Sequence, residues 1–448
     1  MLAWLLGPWR ALFGDSLVSL RLVPAIAAAA SVLLTAALVR SLGGDRRALL
    51  LATMPMALAP IYVGVFGILT PNALDVVAWA AILVLVVRLL EAPTDRDWAL
   101  LGLAFGLGFL NRHAVVFLVA GLAAGFLATR DRALFRTRGP WLAAAIAVAL
   151  ALPHLAWQAM HGWPTLEFLA NARANKMLAQ PPLAFVAEQI LVLDPLAAPL
   201  WITGLVVLWR RDGGRYRALV WTYAVVLALI LGGGGKAYYL TPFYPVLFAA
   251  GAVAIANRSA SLARVLTVAV FVSGLALAPF AKALLPERTF IRYAGAVGID
   301  AQTGVGERNP IDALPQLFAD QHGWPELAAR LGGVFRRLTA DERARACIVT
   351  RNYGEAGAID FFGRAEGLPP ARSGHNTYWL WGPGDCDFGT VVTVGFDRND
   401  LAAVAQSIEE VDRVVCAYCM PYERTPILVV RGLTLTPDDA WRRLKLYE

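Results

Sequence analysis

Long apolar runs alternate with short polar segments over the first 284 residues of the chain. A helix that spans a bilayer needs about 20 mostly apolar residues, and these runs approach that length. The pattern predicts eight single spanning helices, at residues 22–39, 48–69, 73–90, 141–157, 187–209, 218–231, 239–256 and 265–284.

The apolar stretch 98–127 is too long for one more span. As a single helix it would extend roughly 45 Å, against a hydrocarbon core of about 30 Å. Asn111, Arg112 and His113 interrupt it near the middle. We therefore predict two short helices that meet at this polar tip. The expected architecture is then about ten helices.

Basic residues are distributed unevenly among the loops between these helices. Alternate loops contain fifteen arginines, whereas the loops between them contain only four basic residues. Because arginine and lysine are retained on the cytoplasmic side of a membrane, the arginine-rich loops are predicted to be cytoplasmic. The parity of ten spans then places both ends of the chain outside the cytoplasm.

The composition agrees with an integral membrane protein. Apolar residues make up 58% of the chain, charged residues only 16%, and the mean hydropathy is +0.56. The net charge of +7 comes from arginines at helix ends, so it indicates membrane topology and gives no support for a nucleic-acid partner. We predict three regions: an extracytoplasmic juxtamembrane segment 1–20, a membrane domain 21–284 and an extracytoplasmic α/β domain 285–448.

Residues 285–448 are more polar and have short runs of strand type. Residues 346–349, 390–394 and 427–430 are apolar and β-branched, which predicts strands. Residues 324–338 and 400–410 have the apolar spacing of helices, the second beginning at Asn399 or Asp400. These elements predict a mixed α/β fold.

All four cysteines lie in this second region, at Cys347, Cys386, Cys416 and Cys419. An extracytoplasmic location favours disulfides, and four cysteines allow three pairings. Two alternatives are a zinc site of all four cysteines and a redox pair at Cys416 and Cys419. A thioredoxin-type pair should begin a helix, whereas prolines follow this one.

Two further segments of the region combine polar and aromatic residues. Residues 352–357 follow a predicted strand and are typical of a turn into a helix that could receive an anion, although Glu355 argues against an anion there. Residues 373–381 place polar groups beside aromatic rings. They could form a surface for a sugar ring or pack as an aromatic strand.

Ionisable residues near the membrane are costly and are usually kept for function. Pro71 suits the first turn of a helix, Asn72 follows it, and Asp75 lies about one turn inside. Asp75 is a candidate catalytic carboxylate and Asn72 a candidate substrate contact. The alternative is that Asp75 only interacts favourably with the helix dipole.

Cations and aromatic residues at two other helix ends are candidates for substrate binding. Arg112 has a guanidinium suited to phosphate, and His113 follows it; the alternatives are a snorkelling arginine and a structural histidine. Lys236 follows four glycines and precedes Tyr238 and Tyr239. The lysine would contact phosphate and the tyrosines would shape a pocket, or the segment is a flexible turn with interfacial tyrosines.

Four segments of the membrane region, taken in order, resemble bacterial family 39 glycosyltransferases. They are residues 21–27, 70–75, 106–111 and 235–242. This family is related to protein O-mannosyltransferases and to the lipid A aminoarabinose transferase. The segments 352–357 and 373–376 resemble the soluble tail of one bacterial subgroup.

The resemblance implies the C-type membrane glycosyltransferase fold in a bacterial inner membrane. Such enzymes transfer a sugar from a polyprenyl-phosphate-linked donor to an extracytoplasmic acceptor, which here would be a lipid, a glycan or a protein. A carboxylate serves as general base, and cations such as Arg112 and Lys236 would stabilise the leaving lipid phosphate. The implied partners are this donor, an unknown acceptor and membrane lipids. No cofactor is implied with certainty, and a divalent cation stays open.

The sequence departs from the family pattern in two places. The family normally has one more helix at its start, followed by a loop that supplies the catalytic carboxylate, and residues 1–6 match only the end of that loop. Asn72 also replaces a family aspartate. We therefore expect an amino-terminally truncated glycosyltransferase. The alternatives are an inactive relative that binds polyprenyl lipid, and a transporter or flippase, for which no hydropathy repeat or paired broken helices are evident.

Overall fold

The computed structural model describes residues 2–176, 181–299 and 311–448, and the chain divides into two units. The first unit comprises Met1–His161 and Ala179–Leu284, and the second comprises Gly162–Leu178 and Leu285–Glu448. A short segment between two membrane helices thus belongs with the carboxyl-terminal part of the chain.

The first unit is helical. Its helices are α1 (Leu2–Phe13), α2 (Leu17–Ser41), α3 (Arg46–Leu58), α4 (Pro60–Val65), α5 (Pro71–Glu91), α6 (Asp95–Asn111), α7 (Val115–Leu127), α8 (Gly139–Met160), α10 (Pro182–Val192), α11 (Ala198–Arg210), α12 (Arg217–Gly232), α13 (Tyr244–Arg258) and α14 (Ala260–Ala281), with α9 (Pro164–Asn171) in the second unit. A 3-10 turn, Ala237–Phe243, leads into α13. Each of the ten predicted helices coincides with one helix or with two in succession.

Side-chain caps explain where several of these helices begin. Ser16 accepts a hydrogen bond from the backbone N–H of Ser19, and Asp45 accepts from those of Arg47 and Ala48. Such caps satisfy backbone donors that the first helical turn leaves unpaired. Polar residues between the apolar runs therefore set the helix starts.

Within the described residues, five helices are long and apolar enough to cross a bilayer by length and composition. They are α2, α5, α8, the continuous segment Ala237–Arg258, and α14. A further pair, Pro182–Val192 with Pro195–Gly214, passes the same test together but is bent by 95°. The predicted break of 98–127 into two helices is confirmed, with the interruption between Asn111 and Val115.

The predictions of single continuous helices at 48–69 and at 187–209 are wrong. The first divides into α3 and α4 at Ala59, an extended residue before Pro60. The second divides at an aspartate. The chain breaks at Asp194, whose φ is +72° and whose side chain accepts a hydrogen bond from the backbone N–H of Leu196. Ser273 of α14 donates to the other carboxylate oxygen at 2.6 Å. The residues around the break are apolar, so hydropathy alone does not show it. The dipeptide Asp194-Pro195 is the local signal, because proline disfavours a helical conformation in the preceding residue.

Helix α13 lies at the centre of the first unit, packed against α11, α3 and α2. Its crossing with α11 depends on two glycines. A Cβ on Gly251 would lie 1.9 Å from the carbonyl oxygen of Leu200, and one on Gly204 would lie 2.1 Å from that of Leu247. Small residues allow such direct backbone contact between membrane helices.

Gly251→Ala is expected to destabilise the protein by at least about 1–3 kcal/mol, because the new methyl group meets backbone that cannot rotate away. Thermal unfolding of purified protein in detergent measures this effect. Gly232→Ala is the control, since a Cβ there meets nothing within 4 Å. Equal melting temperatures for the two variants would contradict the close crossing.

The second unit contains a five-stranded sheet. Its strands are β1 (Cys347–Thr350), β2 (Ala371–Ser373), β3 (Thr390–Val394), β4 (Ala405–Arg413) and β5 (Pro426–Leu433). Besides α9, its helices are α15 (Glu287–Ala296), α16 (Gln316–Ala319), α17 (Trp324–Arg337), α18 (Ala340–Arg345), α19 (Tyr353–Phe362), α20 (Thr377–Trp381), α21 (Arg398–Leu401) and α22 (Pro437–Arg443). The strand order is β2-β1-β3-β5-β4; β1 is parallel to β2 and β3, and β5 is antiparallel to β3 and β4.

The three predicted strands are present, and the predicted helix 324–338 corresponds to α17. The predicted helix 400–410 is wrong, because only Arg398–Leu401 is helical and Ala405–Arg413 is the edge strand β4. This strand is half exposed and lacks strict apolar alternation. Its backbone pairing with β5 determines its conformation, and that pairing leaves no local periodic signal. The N-cap of the short helix is Asp397, two residues before Asn399 and three before Asp400, the two residues predicted.

Cys347 and Cys386 form a disulfide, whereas Cys416 and Cys419 are free thiols. The free pair precedes a short 3-10 turn at Pro421–Glu423, so it lacks the helix of a thioredoxin-type motif. In the described part of the chain, no group of three or more His, Cys, Asp or Glu residues is arranged to hold a metal ion. The structure therefore pairs two of the four cysteines and does not assemble all four at one site.

Mass spectrometry of non-reduced peptides is expected to find one linked pair, Cys347 with Cys386, whose Cα atoms lie 5.7 Å apart, within the normal range for a disulfide. Cys416 should react with iodoacetamide before reduction, since its side chain is partly exposed. Recovery of a peptide linking Cys347 to Cys416 or Cys419 would contradict the pairing.

Candidate functional site

Asp75 and Arg112 come together at adjoining helix ends in the first unit. Thr70 is extended and Pro71 occupies the first helical position of α5, which places Asp75 one turn inside the helix. Arg112 is extended just after the last residue of α6. Its Nη1 lies 3.4 Å from Oδ2 of Asp75, a carboxylate that is only 1% exposed. The polar break between α6 and α7 thus directs a guanidinium onto the start of α5.

The Asp75 contact is long for a charge-assisted hydrogen bond, which is usually about 2.7–2.9 Å. It is also the only hydrogen bond of the Arg112 side chain within the described residues. The remaining N–H donors of this guanidinium therefore have no protein acceptor in that part of the chain. A planar donor group of this kind suits phosphate.

Tyr238 and Tyr239 cover the other side of Arg112. The guanidinium carbon lies 4.5 Å from the centre of the Tyr239 ring and 5.9 Å from that of Tyr238. The two rings meet edge to face at 4.7 Å. A cation over an aromatic face is stabilised by the ring quadrupole, so the tyrosines hold the arginine in place.

The backbone of the 3-10 turn fixes these tyrosines. Tyr62 donates a hydrogen bond to the carbonyl oxygen of Thr241 at 2.8 Å, and Gln189 donates to that of Ala237 at 2.5 Å. Both donors are buried. Sequence reasoning did not identify Tyr62 or Gln189, because each lies inside an apolar run and its partner is distant along the chain.

Three buried oxygen atoms belong to residues of this site and have no hydrogen-bond partner of normal geometry in the described chain. They are Oγ1 of Thr70, Oδ1 of Asp75 and Oδ1 of Asn111. The amide nitrogen of Asn111 donates to the carbonyl oxygen of Pro71 at 2.9 Å, which ties α6 to the start of α5. Buried polar atoms are normally paired, so a group of unpaired ones indicates a place where a polar ligand binds.

Asn72 and His113 were also predicted, and each lies at a helix end beside Asp75 or Arg112 in the sequence. Asn72 is half-buried in the first turn of α5. His113 is placed with His154 of α8, the two Nε2 atoms being 3.0 Å apart, and it packs on the ring of Phe109. The structure thus gives His113 a histidine partner and does not connect it to Asp75.

Lys236 is extended immediately before the 3-10 turn. The preceding glycines terminate α12: Gly234 has a φ of +66°, and the N–H of Gly235 donates to the carbonyl oxygen of Ile230 at 2.8 Å. This is a glycine C-cap, in which the left-handed residue satisfies helix carbonyls. The glycines therefore set the direction in which the chain enters the turn with Tyr238 and Tyr239.

Comparisons with known proteins bear on the family and the fold. Residues 1–157 match the family model described as dolichyl-phosphate-mannose-protein mannosyltransferase. The lipid A galacturonosyltransferase RgtD of Rhizobium johnstonii is 33% identical over 135 residues, which cover 29% of this chain and 28% of the relative. The undecaprenyl phosphate-α-4-amino-4-deoxy-L-arabinose arabinosyl transferase of Pseudomonas aeruginosa is 31% identical over 160 residues, 35% of this chain and 24% of the relative.

These alignments span about a quarter of the length of the curated relatives. The structural likeness is longer. The crystal structure of ArnT from Cupriavidus metallidurans bound to undecaprenyl phosphate covers 97% of this chain and 88% of its own, with a TM-score of 0.60 and 15% identity. The apo structure of the same protein gives a TM-score of 0.58 at 14% identity. The expected resemblance is therefore confirmed: the chain resembles family 39 glycosyltransferases and has the fold of ArnT, a multi-pass membrane fold.

Proposed function

We propose that this chain is a membrane glycosyltransferase that takes a sugar from a polyprenyl-phosphate-linked donor. The acceptor would be a lipid, a glycan or a protein on the extracytoplasmic side of a bacterial inner membrane, with the second unit on that side. The family resemblance supports the reaction class. The observation that carries the proposal is Arg112, which Asp75 and Tyr239 hold in place. Within the described residues, most of its N–H donors have no protein acceptor, and buried oxygens beside it have no partner of normal geometry.

Transfer from such a donor breaks the bond between the anomeric carbon and a phosphate oxygen, while the acceptor oxygen forms the new bond. Negative charge collects on the departing lipid phosphate. Arg112 is the group proposed to stabilise that charge, because fixed donors act strongly in a site that excludes water. Lys236, just before the two tyrosines, is proposed as a second cation for the same phosphate. The acceptor proton passes to a base.

Asp75 has two conceivable roles at this site. Its Oδ2 contacts Arg112, which favours a positioning role in which the carboxylate orients the guanidinium. Its Oδ1 has no partner of normal hydrogen-bond geometry within the described residues, although the indole of Trp79 interacts with the carboxylate. That oxygen could accept from a substrate hydroxyl, so the predicted role as general base is open to test. We propose the positioning role, because the contact with Arg112 is the one the structure contains.

A transfer assay tests the function. Purified protein in liposomes would be given a radiolabelled undecaprenyl-phosphate-linked sugar and a bacterial envelope lipid extract, and label would be followed from donor to acceptor fraction. Label in the acceptor fraction, with release of undecaprenyl phosphate, is the expected result. Movement of the donor between leaflets without transfer would instead support a flippase. Binding of undecaprenyl phosphate with neither reaction would support an inactive relative.

A further inference from the structure

In the sheet of the second unit, the order in which successive strands are added reverses at β1. The chain passes from β1 through α19 to β2 on one side, and the next strand, β3, lies on the other side of β1. Ligands of open sheets with parallel strands bind outside the carboxyl ends of the strands at such a point. The structure has a cavity of about 800 Å³ there, lined by residues that directly follow β1, β2 and β3.

Aromatic side chains form part of the cavity wall. The Trp324 indole N–H donates to the carbonyl oxygen of Asp320 at 2.6 Å, and the Tyr422 hydroxyl donates to its carboxylate at 3.2 Å. Tyr353 is 51% exposed, and its ring lies 4.7 Å from that of His375. These hydrogen bonds and ring contacts hold the aromatic side chains in place, and the rings offer apolar surface to a ligand.

Two buried carboxyl groups also line the cavity. Glu355 is 2% exposed and caps α19 by accepting a hydrogen bond from the backbone N–H of Asn352. Glu423 is 6% exposed; one oxygen accepts from the backbone N–H of Met420, and Oε1 has no partner within the described chain. An unpaired buried carboxylate oxygen is costly, so a ligand that donates to it would be bound favourably.

The lining has an excess of acidic groups. Its three arginines are already paired with carboxylates outside the cavity, namely Arg351 with Asp400, Arg413 with Glu410, and Arg424 with Asp312. Within the described residues, none of these three arginines is left unpaired to neutralise Glu355, Asp397, Glu423 or Glu448 in the lining. A positively charged ligand would therefore meet a complementary surface.

Burial raises the pKa of Glu355 to about 7 and that of Glu423 to about 8. The charge of Asp320 and then that of Glu355 also act on Glu423, whereas Arg351 opposes the shift of Glu355. Burial is the main cause that raises the pKa of Cys419 and of Tyr422, and the nearby charge of Glu423 adds to both shifts. With these shifts both carboxyls retain protons near neutral pH when no cation is bound.

We propose that this cavity binds a small organic cation, with an ammonium group at Glu423 and Glu355. The apolar part of the ligand would lie against Tyr353 and the neighbouring aromatic rings. An ammonium group supplies only donors, which matches the unpaired Oε1 of Glu423, and aromatic faces attract cations. This site is separate from the proposed transfer reaction and does not depend on it.

Binding of a cation favours ionised carboxyls, so it should release protons. Affinity is then expected to rise between pH 6 and pH 8, by up to about tenfold per pH unit for each proton released. A neutral hydroxylated ligand does not require ionised carboxyl groups, so its affinity should fall or stay constant over the same pH range. The pH profile of binding therefore distinguishes the two kinds of ligand.

The experiment uses the full chain in detergent and two probes of the same shape, 4-aminobutan-1-ol and butane-1,4-diol. Isothermal titration at pH 6, 7 and 8 is expected to show at least about tenfold tighter binding of the amine at pH 8, together with the rise in affinity described above. Equal binding of the two probes, a flat pH profile for the amine, or no binding by folded protein would each overturn the proposal.

Glu423→Gln preserves shape and removes the charge, so the amine should bind at least about tenfold more weakly and with a flatter pH profile. Glu409→Gln is the matched control, because Glu409 lies on β4, is 58% exposed and pairs with Arg431 away from the cavity. Tyr353→Leu should lower affinity several-fold and remains informative if the Glu423 variant does not fold. Unchanged amine binding in both Glu423→Gln and Tyr353→Leu would contradict the assignment of this cavity as a cation-binding site.

Discussion

Replacing Arg112 by alanine is expected to weaken the binding of undecaprenyl phosphate by roughly 10- to 100-fold. Hydrogen bonds to charged groups contribute about 1.5–3 kcal/mol, which corresponds to that range of affinity. Arg112→Lys should recover part of the loss, since lysine keeps the charge without the planar fork. Affinity would be measured in detergent by titration with undecaprenyl phosphate.

A second arginine in the same unit provides the control. Arg88 pairs with Asp97 at 2.8 Å, and the carboxylate is only 4% exposed, as in the Arg112 pair. Arg88→Ala should therefore lower the stability by about as much as Arg112→Ala does, as measured by thermal unfolding. It should leave the binding of undecaprenyl phosphate unchanged. Equal loss of binding in the two variants would show that Arg112 acts only through the fold.

Replacing Asp75 by asparagine is expected to reduce sugar transfer by at least about tenfold, with a parallel loss of undecaprenyl phosphate affinity. Asparagine keeps an acceptor oxygen but removes the negative charge that orients Arg112, whose only side-chain hydrogen bond within the described residues is to Asp75. A positioning role therefore predicts that binding and transfer fall together. Both would be measured on the same preparation.

The alternative role of Asp75 gives a different pattern. A general base contributes about 10²- to 10⁴-fold to the rate, and its loss leaves the affinity for the lipid phosphate intact. A fall in kcat at unchanged undecaprenyl phosphate binding would thus identify Asp75 as the base. Asp97→Asn is the control for disturbing a buried arginine-paired carboxylate, and its transfer rate should stay near that of the unaltered chain.

The apolar pattern was sufficient to predict the helical part of the fold. In a spanning helix all backbone hydrogen bonds lie within the helix itself. One long apolar segment of the sequence is therefore enough to predict it. The break at Arg112 was predictable because charged residues interrupt the apolar run. The apolar pattern does not show the break at Asp194, since hydropathy hardly changes around one aspartate and its partner Ser273 lies on another helix. Only the following proline signals it in the sequence.

The candidate site was predictable only as separate residues. Asp75, Arg112 and Tyr239 each occur at a helix end, which local sequence shows. Their contact depends on how α6 packs against α5 and on the hydrogen bonds of Tyr62 and Gln189 to the 3-10 turn. The same limit applies to Glu423, whose burial beside Glu355 follows from the path of a loop and the order of the strands.

The contacts of helix α9 determine when folding of the second unit can be completed. Its Glu167 pairs with Lys445, and Asn171, the last residue of α9, donates to the carbonyl oxygen of Tyr447, although 278 and 276 residues separate these partners. At about 5–20 residues per second, the ribosome needs roughly 15–55 s to make the intervening chain. During that interval the helix has left the ribosome and its final partners do not yet exist. Completion of the unit therefore waits until Lys445 and Tyr447 have been synthesised.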